Sequence, residues 1–316
     1  MLQHTQLIER AGRLGIAVTD ISPLLHQPAA ILEHQSISEL IIDGIPASWV
    51  NLHGQLYCDN KQLAKRAYKV LSIPHPESMA FSTPDDPALP AFFKKDRLYV
   101  CKPLDGTNGI GVVMNIKSPD MVNTYFKTFS HLHTRFMLEE QITGRDLRLQ
   151  VIGGKVVAAC IREPAYVTGN GSDTLEDLIA ARQKVIASQN PNNRLDIDET
   201  TEALLVEQKL RLSDIPAGNR KVQLKYISNM AQGAVATDVT DEIHPVYREW
   251  TTALSAYLKT GYMGLDFITT DHQKHPEGHS RLLETNARAD WLHHTFSERR
   301  THDIPGLILQ TLFVIF

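Results

Sequence analysis

The chain has 316 residues, 42% of them hydrophobic and 22% charged, with a formal net charge of -4. That length buries a large core and fits one large or two ordinary domains. The slightly acidic balance, without a basic stripe, excludes a nucleic-acid footprint, and near-average glycine and proline exclude a long disordered tract.

Residues 1–58 predict a helix with Leu7, Ile8, Ala11 and Leu14 on one face, then a short strand, a loop and a strand opened by Ile41-Ile42 that stops at Asp43-Gly44. This start is a helical pattern rather than a signal peptide. A helix over 60–71 follows, with Asp59 or Asn60 as its N-cap and Ile73-Pro74 as its stop. The stretch 82–90 reads as a loop. A strand over 98–103 enters a glycine-rich loop at 105–111 and leaves through 112–114. Strand, loop, strand excludes a P-loop or a dinucleotide fingerprint, because both need a helix after the glycines.

Residues 136–163 predict three strands, divided by the turn at 143–146 and by the hairpin dipeptide Gly153-Gly154. Helices are expected over 172–189, 202–212 and 246–260, the last started by His244-Pro245. Strands are expected over 262–269 and 280–285, and a final helix over 304–315. The apolar run at 305–316 is too short to span a bilayer. Hairpins mixed with helices make the fold class α+β.

The cysteines, Cys58, Cys101 and Cys160, are far apart and form no CxxC pair. That argues against a disulfide framework or a zinc site. Cys101 and Cys160 lie in apolar runs and read as small core hydrophobes. A reducing, cytoplasmic setting is the simplest expectation.

Three groups of residues suit phosphate chemistry. Gly106, Gly109 and Gly111 let backbone N–H groups approach an anion, and Lys102 places a positive charge beside them. By itself the same loop reads more readily as a tight hairpin turn. Asp266 stands in an apolar strand, while Glu284 and Asn286 share one side of theirs. Two carboxylates and an amide oxygen are hard donors suited to magnesium. The alternatives are a paired core carboxylate at Asp266 and a solvated strand face at Glu284 and Asn286. Arg148, Arg162 and Arg288 offer guanidinium clamps, although any one of them suits a surface ion pair. His293-His294 show no zinc spacing and read as packing or surface residues.

The segments 59–77, 99–112, 137–179, 229–245, 264–268 and 282–290 resemble, in order, the ATP-grasp superfamily of ligases. The similarity is greatest to the ATP-grasp module shared by cyanophycin synthetase and the bifunctional glutathione-forming enzymes. The resemblance implies an ATP-grasp fold, two α+β subdomains clasping ATP, over residues 59–316. Its small closing subdomain would cover about 59–135 and its C-terminal subdomain 136–316, after a short N-terminal α/β segment at 1–58. No second catalytic module is expected.

The resemblance also implies roles. Lys61 and Lys102 would reach ATP, and the loop Gly106, Thr107, Asn108, Gly109 and Gly111 would close over its phosphates. Glu139, Glu140, Gln141 and Ile142 would form the hinge whose backbone reads adenine, with Asp146 near the ribose. Asp266, Glu284 and Asn286 would hold two magnesium or manganese ions. Arg162 and Arg288 would stabilise the transferring phosphoryl group, and Arg148 and Asn229 would face substrate. The implied activity is ATP-dependent joining of a carboxylate to an amine through an acyl phosphate, on amino acids or small peptides. Neither nucleic acid nor membrane takes part, and the implied assembly is a homodimer. Two alternatives are transfer onto a protein or precursor-peptide tail, and a nucleotide-binding regulator without catalysis. The family's usual NLSTGG and Arg-Pro-Gly segments are replaced by residues 229–234 and by Arg288-Ala289-Asp290. Both departures fall on the substrate side.

Overall fold

The structure is a computed structural model that describes residues 2–104 and 111–314. The chain divides into two compact units. Unit one comprises residues 1–44, 158–241 and 290–316, and unit two comprises 45–157 and 242–289. Each combines antiparallel strands with helices, as the α+β reading expects. No helix among the described residues is long and apolar enough to cross a membrane.

In unit one, the helix Leu2–Arg13 buries Leu7 and Ala11, the face expected from its periodicity. Three antiparallel strands follow, Ala17–Asp20, Ala29–His34 and Ile37–Ile42. The last two form a hairpin turned at Gln35, which takes φ 55°. Ile41 and Ile42 therefore close a strand rather than open one. The helix Ile304–Phe313 starts at Asp303, whose Oδ1 accepts from the Gly306 N–H at 3.0 Å. The other oxygen of Asp303 takes Arg10 at 2.7 Å, so one carboxylate caps one helix and ties it to another. A second core gathers the helix Leu175–Gln189 against the strands Tyr166–Thr168 and Lys221–Gln223. Thr174 and Asp177 make a reciprocal capping box at that helix's start. The strand Lys155–Glu163 pairs, over its unit-one residues, with Val235–Asp238, setting Cys160 opposite Asp238.

Unit two holds a four-stranded antiparallel sheet in the order Ser78–Phe81, Phe136–Glu140, Tyr99–Pro103, Val113–Ile116. One face buries Phe81, Tyr99, Cys101, Phe136 and Leu138 against the helix Pro119–Phe129. A second antiparallel group runs Arg145–Ile152, Tyr262–Thr269, Ser280–Asn286. Gly153 and Gly154, at φ 58° and 76°, turn the chain after Ile152 as the dipeptide predicts. The helix Lys61–Val70 begins at Asn60, whose Oδ1 accepts from the N–H groups of Gln62 and Leu63, both at 3.1 Å. This helix packs on the second strand group, where the Tyr68 hydroxyl bonds the Thr285 hydroxyl. The helix Pro245–Leu258 starts at His244, also as expected.

Candidate active site

Unit two assembles most of the residues singled out above. Lys61 opens its helix and reaches the Leu104 carbonyl at 3.3 Å. One helical turn on, Lys65 points the same way and is 7% exposed. Its Nζ lies 2.6 Å from Glu139 Oε2, while Lys102 Nζ lies 2.6 Å from Glu139 Oε1. One buried carboxylate is thus held between two ammonium groups. Burial alone would push Glu139 up, but Lys102 and then Lys65 outweigh it and hold the carboxyl below its ordinary value. Burial pushes Lys65 down, against the pull of Glu139. The triad keeps a net positive charge on this face of the sheet. Sequence reading missed Lys65. Its signal was the i, i+4 spacing from Lys61 on the side that also buries Ala64 and Tyr68.

The residues expected to form the hinge adjoin this triad, and Glu139 belongs to both. Glu140 takes Arg97 on its carboxylate at 2.8 Å. The N–H groups of Glu140 and Gln141 are engaged inside unit two, by the carbonyls of Glu77 and Leu98 at 2.9 and 2.8 Å. The Gln141 amide pairs with Asn115. Ile142 is half-buried, and Asp146 sits in register with Ile268.

Asp266, Glu284 and Asn286 come together as the alternation rule predicts. Asp266 faces Glu284 across the strand pair, and Asn286 faces Gly264. The Asn286 Nδ2 donates to Asp266 Oδ2 at 2.8 Å, which leaves its amide oxygen for other use. Arg148, across the other edge of the same strand, places Nη1 at 2.9 and 2.8 Å from the two oxygens of Asp266. Gly264 makes this arrangement possible, because a Cβ there would collide with the Arg148 guanidinium and lie 2.7 Å from Ala289 Cβ. Glu284 is pushed above its ordinary value by burial, with Lys61 pulling the other way and the Asp266 charge pushing up. Lys102 and Arg148 also act on it, so Lys61, Lys102, Arg148 and Asp266 share one electrostatic neighbourhood with Glu284. Three oxygen donors, one of them a carboxyl destabilised by burial, suit a small hard cation.

Gly111 has φ 72°, and its carbonyl accepts from the Tyr125 hydroxyl at 2.8 Å. Gly106, Thr107, Asn108 and Gly109 lie outside the described residues. Arg288 is exposed. Arg162 and Asn229 belong to unit one. There Ser228 Oγ bonds the Arg162 carbonyl at 3.2 Å, and Asn229 Oδ1 caps the turn Met230–Gln232 through the Ala231 N–H at 2.9 Å.

No protein-family model matches the chain. It is 28% identical over 270 residues to cyanophycin synthetase of Trichormus variabilis, covering 82% of this chain and 29% of that protein. It is 24% identical over 289 residues to a glutathione biosynthesis bifunctional protein of Mannheimia succiniciproducens, covering 87% of this chain and 38% of that protein. The chain therefore spans well under half the length of either. Among solved structures, a bifunctional glutathione synthetase from Pasteurella multocida matches 99% of this chain and 44% of its own, with TM-score 0.76 and 22% identity. An ATP-grasp ligase solved with its minimal precursor matches 84% of this chain with TM-score 0.51 and 16% identity. These similarities bear out the resemblance read from the sequence.

Proposed function

We propose that this chain, which has the ATP-grasp fold and resembles ATP-grasp ligases over more than four fifths of its sequence, is an ATP-dependent carboxylate–amine ligase acting on amino acids or small peptides in the cytoplasm. The observation that carries this reading is the shared neighbourhood of Asp266, Glu284 and Asn286 with Lys61, Lys102 and Arg148. Hard oxygen donors beside fixed ammonium groups match what a nucleotide polyphosphate and its cation require.

In this reading Lys61 and Lys102 take the phosphate charge, and Glu139 holds Lys102 in place. Asp266, Glu284 and Asn286 would hold magnesium, two ions in this reading, which would neutralise charge on the phosphates. Residues 106–111 close over the phosphates and keep water from the reacting groups. The hinge 139–142 reads adenine, and Asp146 lies near the ribose. A substrate carboxylate oxygen attacks the γ-phosphorus, so the bond to the bridging oxygen breaks and ADP leaves. Arg162 and Arg288 neutralise the charge that spreads over the transferring group and the acyl phosphate. A neutral amine then attacks the acyl carbon, an amide forms, and phosphate and a proton are released. Arg148 orients Asp266, and Asn229 faces substrate. Residues 59–316 form the catalytic module in this reading, with 1–58 as a preceding segment.

The test is an ADP-release screen over pairs of amino acids and dipeptides, with the product identified by mass. The expected result is amine-dependent ADP release and a product one water lighter than its two parts. Glu284→Ala is expected to fold and to lose activity by roughly a hundredfold. Full amine-dependent turnover by that variant would overturn the cation assignment. Turnover only with a protein or peptide tail would overturn the small-substrate assignment.

A further inference from the structure

Unit one contains a second cluster of donor atoms, of different chemistry. Cys160 sits in the strand Lys155–Glu163, and His293 and His294 are consecutive on the short turn Leu292–Thr295. All three are buried, at 0%, 3% and 0% exposure. The two imidazole centroids are 4.3 Å apart. One ligand atom from each of the three residues lies within 4.8 Å of the others, and among the described residues this is the group of three or more His, Cys, Asp or Glu side chains that meets that spacing. The chain brings them together from positions 160 and 293–294, so no sequence spacing announces them.

We propose that Cys160, His293 and His294 bind one divalent ion of the zinc class. A tetrahedral zinc centre with sulfur at about 2.3 Å and nitrogen at about 2.0 Å spaces one sulfur and two nitrogens at roughly 3.3–3.5 Å. The gathering within 4.8 Å reaches that with side-chain adjustments of about an ångström. A thiolate with two imidazoles selects zinc, cobalt or copper over magnesium. Three protein ligands leave a fourth position for water or a small anionic group. Binding converts the Cys160 thiol to thiolate, releasing one proton per ion, while both imidazoles bind in their neutral form.

A second layer orders this cluster. Asp238 faces Cys160 in register and takes His302 Nε2 at 2.6 Å. The Thr240 hydroxyl donates to the same Asp238 oxygen at 2.5 Å. The His302 N–H donates to the His294 carbonyl at 2.9 Å, which fixes the backbone that presents both imidazoles. Outer partners of this kind set ligand orientation at metal centres. Bound, the ion ties the turn at 292–295 to the strand that also carries Arg162.

Chelator-treated full-length protein titrated with cobalt(II) tests this. The expected result is one equivalent bound, a thiolate-to-cobalt charge-transfer band in the near ultraviolet, strong visible bands of a tetrahedral centre, and displacement of both by zinc. Cys160→Ser loses the charge-transfer band, Cys58→Ser keeps it, and His294→Gln weakens cobalt binding at least tenfold. Should Cys160→Ser fail to fold, the wild-type titration together with His293→Gln and His294→Gln decides the matter. Absence of the band at one equivalent in wild type, its persistence in Cys160→Ser, or unchanged affinity in both histidine variants overturns the site and leaves these residues as core packing.

Discussion

Arg148 and Asp266 face each other in register on neighbouring strands, with one guanidinium nitrogen within 2.9 Å of both carboxylate oxygens. Their side chains are 5% and 14% exposed, so each charge depends on the other. Removing one partner takes the closest opposite charge from the other, whereas removing both removes the pair as a unit. Asp266→Asn is expected to cost about 3 kcal/mol and Arg148→Met a similar amount. The double variant is expected to cost less than the sum, with a coupling of about 1–3 kcal/mol. Urea unfolding of the four proteins measures it. Strict additivity would show that the two side chains are not coupled in the fold.

The Glu139 triad predicts the shape of the acid limb. Its carboxyl is held below the ordinary 4.5, because Lys102 and Lys65 outweigh the effect of burial. A group lowered in the folded state contributes stability above its unfolded value and loses it as pH falls through the lowered one. The urea midpoint of the wild type should therefore drop as pH falls below about 4.5. Glu139→Gln should be less stable near neutrality, by about 1–3 kcal/mol, and flatter below that point. Midpoints measured from pH 3 to 7 check both the offset and the slope.

Burial, and then the neighbouring Asp59 charge, pushes the Cys58 thiol up to about 12, and burial alone pushes Cys101 up to about 12. Thiolate is the reactive species, so both should resist iodoacetamide at pH 8 in the folded protein and react fully in urea. Peptide mass mapping gives the answer. Rapid native labelling of either would mean that unit two opens far more often than its packing suggests.

Local signals made much of the fold legible. Asn60 and His244 each stand where a helix begins, and Gly153-Gly154 turns where the dipeptide predicts. The signals fail where the chemistry is ordinary. The hairpin at Gln35 turns without a glycine, so residues 29–42 carry no turn mark. The strand Ser78–Phe81 is four residues long with only Phe81 buried, too short for alternation to be seen. Asp266, Glu284 and Asn286 were legible because an acid in an apolar strand is conspicuous and strand alternation does the rest. Cys160 was not legible as part of a cluster, because its partners lie far along the chain and an apolar run hides a thiol.

The Glu139 triad also acts on the architecture of its sheet. Glu139 stands opposite Val100, which puts it on the same face as Lys102 and opposite to the face of Phe136 and Leu138. Sliding Phe136–Glu140 by one residue would turn the carboxylate into the apolar core and leave two ammonium groups bare. The buried apolar face already disfavours such a slip, and the buried charges add a second penalty. Here the charge pattern works as a key that fits one alignment of two strands and a helix. The arrangement that holds Lys102 and Lys65 on one carboxylate is also a proofreader of how the sheet zips together.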